Sequence, residues 1–320
     1  MSRQRFHARL IWIFRRLVLL SLLALVLWVA IAKGSLIRFA SESPGGCPPV
    51  CIGAKLRGQD LSRIPFDQID FSSADLSHSN FEGSIFTNAN LKGAILANAN
   101  FLSASLAGAD LTGADLSGAT ILNTSLVNAI LTGSNLSGAS LTRADLSAAK
   151  LDGAILAKAN LGGANFSGTT LRGLHLAGAN LAGANLSGAV IEGCDFTGAI
   201  LTAADLSRSA IHGSKFNGNL IGADLRFADV RGVDFSGADL SGAKLHGANA
   251  ANASFIGSLL DGADLSFSTL VGVNFTEASL KGASLLDADL RGAILDGVDL
   301  EGAHFSSGTQ WPEGFEPNTR

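Results

Sequence analysis

The 320-residue chain holds three cysteines, six prolines and six histidines, and each scarcity closes off a class of function. Cys47 and Cys51 have no third or fourth Cys or His close by in sequence, so a metal centre is not expected there. Six prolines among irregularly spaced glycines exclude a collagen-like repeat. No nucleophile elbow, phosphate loop, paired-Cys motif or His-Glu-x-x-His helix occurs, so the sequence offers no catalytic residue, no cofactor site and no sign of an enzyme. A basic surface is missing as well. Residues 50–320 carry 16 basic and 26 acidic side chains, a net −10, which does not suit nucleic-acid phosphates.

What the chain has instead is a repeat. Leu or Phe returns every five residues from Leu56 to Phe305, usually with Ala two places earlier and Asp or Asn between them, as in Ala109-Asp110-Leu111. There are 33 such centres from Leu56 to Phe216 and 18 from Leu220 to Phe305, so one residue is lost at Asn217-Gly218-Asn219. Of the 51 centres, 46 are Leu or Phe, and only Ala250 is not large and apolar.

A period of five cannot be an amphipathic helix, because each Leu would be rotated by about 140° from the last and the set would scatter around the cylinder. The 38 glycines argue the same way, since each inside a helix costs about 1 kcal/mol. In extended chain, alternate residues share a face, so Ala and Leu point inward together while Asp or Asn points out. Five residues then make one short side and a corner, and the pair Ser117-Gly118 suits the corner. Such sides bury their Leu face only by winding into stacked coils. Phe196, Phe216, Phe235, Phe255 and Phe275 lie 20, 19, 20 and 20 residues apart, which counts four sides per coil and puts the rings in one column. At about 4.8 Å per coil, the 51 sides make a rod of about 13 coils and about 60 Å.

Residues 54–305 resemble the pentapeptide-repeat family, whose pattern is a small residue, Asp or Asn, Leu or Phe, then two variable residues; the run from Ala179 to Gly188 matches throughout. The resemblance implies an all-β, right-handed quadrilateral β-helix. The segment 306–320, with Thr309-Gln310-Trp311-Pro312-Glu313-Gly314-Phe315, looks like the closing tail of many members. Trp311 and Phe315 are placed to cover the last coil's apolar end and strand edges.

The first fifty residues are another kind of chain. Leu17 to Ala32 carries no charge and only one hydroxyl, and arginines at 3, 5, 9, 15 and 16 make residues 1–16 basic. Extended back through Leu10 to Phe14, with Arg15 and Arg16 snorkelling, the segment 10–32 is long enough for a transmembrane helix, with Trp12 and Trp28 near the two interfaces. The arginine bias predicts a cytoplasmic N-terminus and a solenoid on the far side, in the periplasm of a bacterial inner membrane or in a thylakoid lumen. The alternative is a cleaved signal peptide ending at Ala30-Ile31-Ala32 and a secreted, soluble solenoid. Charge divides the chain in the same place: residues 1–49 sum to +6, against −10 for the rest.

Cys47 and Cys51 flank Pro48-Pro49-Val50 in the linker 33–53, where an exported location permits a disulfide; two free thiols are the alternative. Cys194 occupies the small inward slot and reads as a buried thiol. The histidines fall coils apart and read as surface residues. Asn165, Asn185, Asp205 and Asp224 are expected to stack along one side, either as a cation- or partner-binding strip or as side chains bonded to neighbouring backbone. The two breaks in pattern, Asn217-Gly218-Asn219 and Ala250, are the candidate bend or interaction sites; Ala250 leaves a cavity or dent unless its neighbours fill it.

These features predict a non-enzymatic, membrane-anchored scaffold, its acidic rod displayed to a protein partner and its residues 10–32 in lipid. The family resemblance supplies the alternative, because some members resemble duplex DNA in shape and charge and bind the topoisomerase gyrase. The export segment argues against that, since gyrase is cytoplasmic.

Overall fold

The computed structural model of the protein describes residues 50–317. The expected membrane segment at 10–32, Cys47 and residues 318–320 lie outside the described residues. Within them no helix is long and apolar enough to cross a membrane.

The chain is a stack of parallel coils. Bridges join each side to the side twenty residues on, for example Asp110 to Ile130, Asp115 to Asn135, Thr120 to Ser140 and Ser125 to Asp145, so four sides close one coil. We number the faces by their first centres: Leu56 (first), Leu61 (second), Phe66 (third) and Phe71 (fourth). On the fourth face the pairing lengthens into three short strands, β1 Thr170–Arg172, β2 Val190–Glu192 and β3 Ala210–His212, in one parallel sheet of order β1-β2-β3. The register Thr170↔Val190↔Ala210 is the same twenty-residue step.

One side illustrates how the backbone is satisfied. The Leu111 amide donates to the Ile130 carbonyl at 2.7 Å, the Ile130 amide donates back to Ala109 at 2.9 Å, and the Gly113 amide donates to Thr132 at 3.0 Å. The corner closes on itself when the Ala114 amide donates to the Leu111 carbonyl at 3.0 Å. Gly113 sits there at φ 64°, the left-handed angle that a type II turn needs in its third residue. The bonds run between coils and not along a strand, so a side of five residues is stable only with neighbours above and below it.

Ala and Leu of each repeat fill the interior, as the alternation predicts. Ala109, Leu111, Ala114 and Leu116 are fully buried, and the same holds through most of the stack. Where Ser or Thr takes the Ala slot, its hydroxyl donates to a nearby carbonyl, as Ser84 does to Leu61 at 2.8 Å and Ser134 to Leu131 at 2.7 Å. Among the described residues no buried side-chain polar atom lacks a partner, which removes the usual penalty for polar groups in a core.

The phenylalanine column forms on the first face. Phe196 and Phe216 stack at 4.3 Å and 19°, Phe235 and Phe255 at 5.0 Å and 10°, and Phe255 and Phe275 at 5.2 Å and 25°. The pair spanning the lost residue, Phe216 and Phe235, is tilted at 39° and 5.6 Å apart. Such pairs each contribute about 0.5 to 1.5 kcal/mol beyond burial. Aromatic rings gather at both ends as well: Phe66, Phe71, Phe81, Phe86 and Phe101 pack together near the start, and Trp311 lies edge-on to Phe305 at 5.4 Å and beside Phe315 at 5.3 Å at the finish.

Candidate functional site

The acidic and amide side chains of the repeat are already engaged. Asp145, Asn165, Asn185, Asp205 and Asp224 do stack along the third face. Each turns its Oδ1 to the backbone amide two residues on: Ser147, Ser167, Ser187, Ser207 and Arg226 donate at 3.0, 3.1, 3.0, 2.9 and 3.1 Å. Asn165 also donates from Nδ2 to Asp145 at 3.0 Å, tying one coil to the next. Of the two readings of this strip, the geometry is that of corner caps.

The caps hold their carboxylates in the charged form. Ser77 hydroxyl and amide lower the pKa of Asp75 below the ordinary carboxylate value, Thr197 does so for Asp195, and the guanidiniums of Arg231 and Arg291 do so for Asp229 and Asp289. In the last two, Arg Nη2 lies 2.7 Å from the carboxylate. No group of three His, Cys, Asp or Glu able to hold a metal occurs among the described residues.

Cys51 is disulfide-bonded, while its expected partner Cys47 lies outside the described residues. Cys194 is a free thiol in the inward slot, 2% exposed, with Sγ 3.4 Å from the Leu171 carbonyl. Burial pushes its pKa up, so it stays protonated and unreactive.

At the register slip, Gly218 moves into the small inward slot: its carbonyl accepts from the Asp239 amide at 3.1 Å, the bond that Ala carbonyls accept elsewhere. The residue dropped is therefore a corner residue. Gly213 and Gly222 keep the left-handed corner angle on either side, and Gly218 lies outside it. A Cβ on Gly218 would fall 2.1 Å from the Ala199 carbonyl oxygen, so only glycine lets the shortened side close. Asn219 resumes the ladder, bridging Ile200 and Asp239, and its Oδ1 accepts from Thr202 Oγ1 at 3.0 Å.

Ala250 is fully buried and keeps the bonds of any other centre, its amide donating to Thr269 at 2.8 Å. It ends a gradation on the fourth face, where the centres run Leu171, Ile191, Ile211, Val230, Ala250. The following centres on the first face run Leu176, Phe196, Phe216, Phe235, Phe255. Side chains shrink on one face where rings enter on the next, an exchange of volume that tight interiors favour. Ala250 and the slip lie on different faces.

A feature that the repeat pattern hides lies on the corner between the third and fourth faces. Phe227 and Phe267 stand there more than half exposed, at 55% and 59%, with Leu286 beside them at 40%. Both rings sit on left-handed backbone, φ 59° and 57°, a conformation costly for a bulky residue. His246 lies between, its ring 5.5 Å from Phe227 and 5.3 Å from Phe267. The twenty-residue spacing of 227, 247, 267 and 287 is the sequence signal that reveals it.

A crevice of about 580 Å³ opens at the C-terminal end, lined by Leu295, Val298, Asp299, Leu300, Glu301 and Phe315.

The sequence matches a family model described as pentapeptide repeats, in eight copies, over residues 51–88, 84–121, 123–157, 159–198 and 179–218. A second model, described as a pentapeptide repeat region, matches residues 228–305. No curated protein matches the chain. Among solved structures it is similar to HetL, a pentapeptide repeat protein involved in heterocyst differentiation regulation from the cyanobacterium Nostoc sp. strain PCC 7120. That match has 27% identity over 77% of this chain and 89% of HetL, at a TM-score of 0.25. It is similar to a pentapeptide repeat protein from the Arabidopsis thaliana thylakoid lumen, with 32% identity over 31% of this chain and 66% of that one, at a TM-score of 0.26. QnrB1, a plasmid-mediated fluoroquinolone resistance protein, matches at 20% identity over 63% of this chain and 92% of its own, at a TM-score of 0.20. With scores this low, the fold rests on the ladder of this chain alone.

Proposed function

The chain belongs to the pentapeptide-repeat family, and from that premise we propose that it is a non-enzymatic scaffold, anchored in a membrane by residues 10–32, that presents its β-helix to a protein partner outside the cytoplasm. Right-handed winding, the hand of nearly all parallel crossover connections, goes with that membership. The observation that carries the scaffold reading is the engagement of the polar side chains. The Asp and Asn caps, the inward hydroxyls and the Cys194 thiol all serve the fold, which leaves a rigid displayed surface as the molecule's product. The anchor reading is supported by the uncharged run from Leu17 to Ala32 behind its five arginines. The disulfide at Cys51, which we pair with Cys47, fits an oxidising compartment such as the periplasm or a thylakoid lumen.

A reporter fused after Arg320 tests the orientation. Activity of a periplasmic reporter is expected; activity of a cytoplasmic one would refute export and favour the gyrase-binding alternative, for which the −10 charge of residues 50–320 is the supporting feature. The mass of the membrane-extracted protein tests the anchor separately. Loss of the first 32 residues would make the solenoid a secreted protein.

A further inference from the structure

We propose that the corner strip between the third and fourth faces is a self-association surface, and that a second copy of this chain, running antiparallel, covers it. The third residues of five successive corners in this column are Arg208, Phe227, Gly247, Phe267 and Asp287. The order is symmetric about Gly247 in shape and antisymmetric in charge. A two-fold axis perpendicular to the rod at Gly247 sets Phe227 of each copy on Phe267 of the other, Arg208 on Asp287 at both ends, and Gly247 on Gly247 in the middle. That is the self-complementarity an isologous dimer requires.

Three further observations bear on it. Phe227 lies across its own neighbour, since a Cβ on Gly247 would come within 2.7 Å of the ring, so glycine at the centre lets the aromatic surface lie flat. The left-handed backbone at both phenylalanines is strain with no return inside the rod, where the same corner elsewhere holds Gly, Ala or a polar or charged residue and never another aromatic one. Charge also favours this place. Arg226 pairs with Asp224 and Arg231 with Asp229, so the strip is close to neutral in a solenoid that otherwise repels its own kind. Arg208 is exposed with no ion pair to a carboxylate among the described residues, and Asp287 is exposed with its Oδ1 accepting from Ser306 at 2.7 Å.

Four coil steps make the strip about 19 Å long, well short of an interface of about 800 Å² per partner, so the association is weak and reversible, and side by side. It does not depend on the anchor or on the identity of any other partner.

Sedimentation velocity of the full-length chain in non-ionic detergent is the test. Wild type is expected to self-associate in the micromolar range. Joint substitution Phe227→Gly and Phe267→Gly weakens it about 30-fold or more, through loss of the aromatic anchors, while raising the melting temperature by relieving the two strained corners. Arg208→Asp or Asp287→Arg alone weakens it about tenfold, and the two together restore it. Self-association that survives the double glycine variant, or that the charge exchange fails to restore, overturns the proposal. So does a chain that stays monomeric throughout the micromolar range, which leaves the strip to another protein or to lipid.

Discussion

On either side of the slip at Asn217 to Asn219 the backbone is the same and the side chains are not. Before it, the first-face centres from Leu56 to Leu176 are all leucine. The corners there are glycine or a polar or small residue, such as Asn88, Asn98 or Arg143. Rings enter the first face from Phe196 and the fourth face narrows from Ile191 to Ala250, both starting before the slip, and beyond it two corners carry phenylalanine. Yet Leu111 donates to Ile130 at 2.7 Å and Leu245 to Asp264 at 2.6 Å, so the ladder does not register the change. The difference teaches that the coil is maintained by backbone bonds and a minimum of inward bulk, while both the filling and the corners are free to diverge.

The sharpest way to break this comparison is at the junction. Gly218→Val places a branched side chain against the Ala199 backbone and is expected to cost about 3 kcal/mol or more, read as a large drop in thermal midpoint. A variant that melts like wild type would show that the shortened side can relax.

Next in size is the exchange of volume. Ala250→Leu, which would stabilise an empty slot, is expected instead to overpack the fully buried site and cost about 1 to 3 kcal/mol. Adding Phe255→Leu should recover part of that loss. A stabilised Ala250→Leu would mean that Phe255 does not occupy the space the missing leucine leaves. In the regular half, Gly113→Ala meets open space but keeps φ 64°, so it should cost only about 1 to 2 kcal/mol, all of it from the corner angle.

The smallest effect is electrostatic. Asp75, Asp195, Asp229 and Asp289 have folded pKa values below their unfolded ones. Their contribution is therefore complete above the unfolded pKa, near pH 4, and is lost as the pH falls through the folded values. Melting temperature should be level above about pH 5 and decline below about pH 4, slightly less steeply in Asp229→Asn with Asp289→Asn. A decline that begins near neutrality would point to histidine.

Much of this is legible in the sequence. The Leu and Phe centres, the four-sided coil, the Phe196 to Phe275 column and the lost residue follow from spacing, because each inward position repeats with the backbone. The polar ladder was legible as a ladder but not as caps, since the choice between ligand strip and corner cap depends on where Oδ1 of residues such as Asn185 points. The strip at Phe227, His246 and Phe267 does not stand out from the repeat pattern. Corner positions are variable in the repeat, and a Phe there looks like tolerance until twenty-residue neighbours are seen to touch.

The sequence by itself determined the period and which residues face inward, because burial of two residues in five and the bend between sides are local requirements of each repeat, and the twenty-residue spacing of phenylalanine counted the sides. Tertiary structure alone decided that Gly218 fills an inward slot against Ala199, that Ala250 is fully buried, and that Phe227, His246 and Phe267 touch across coils. Those depend on contacts between residues one coil apart, where geometry and not sequence order sets the neighbours.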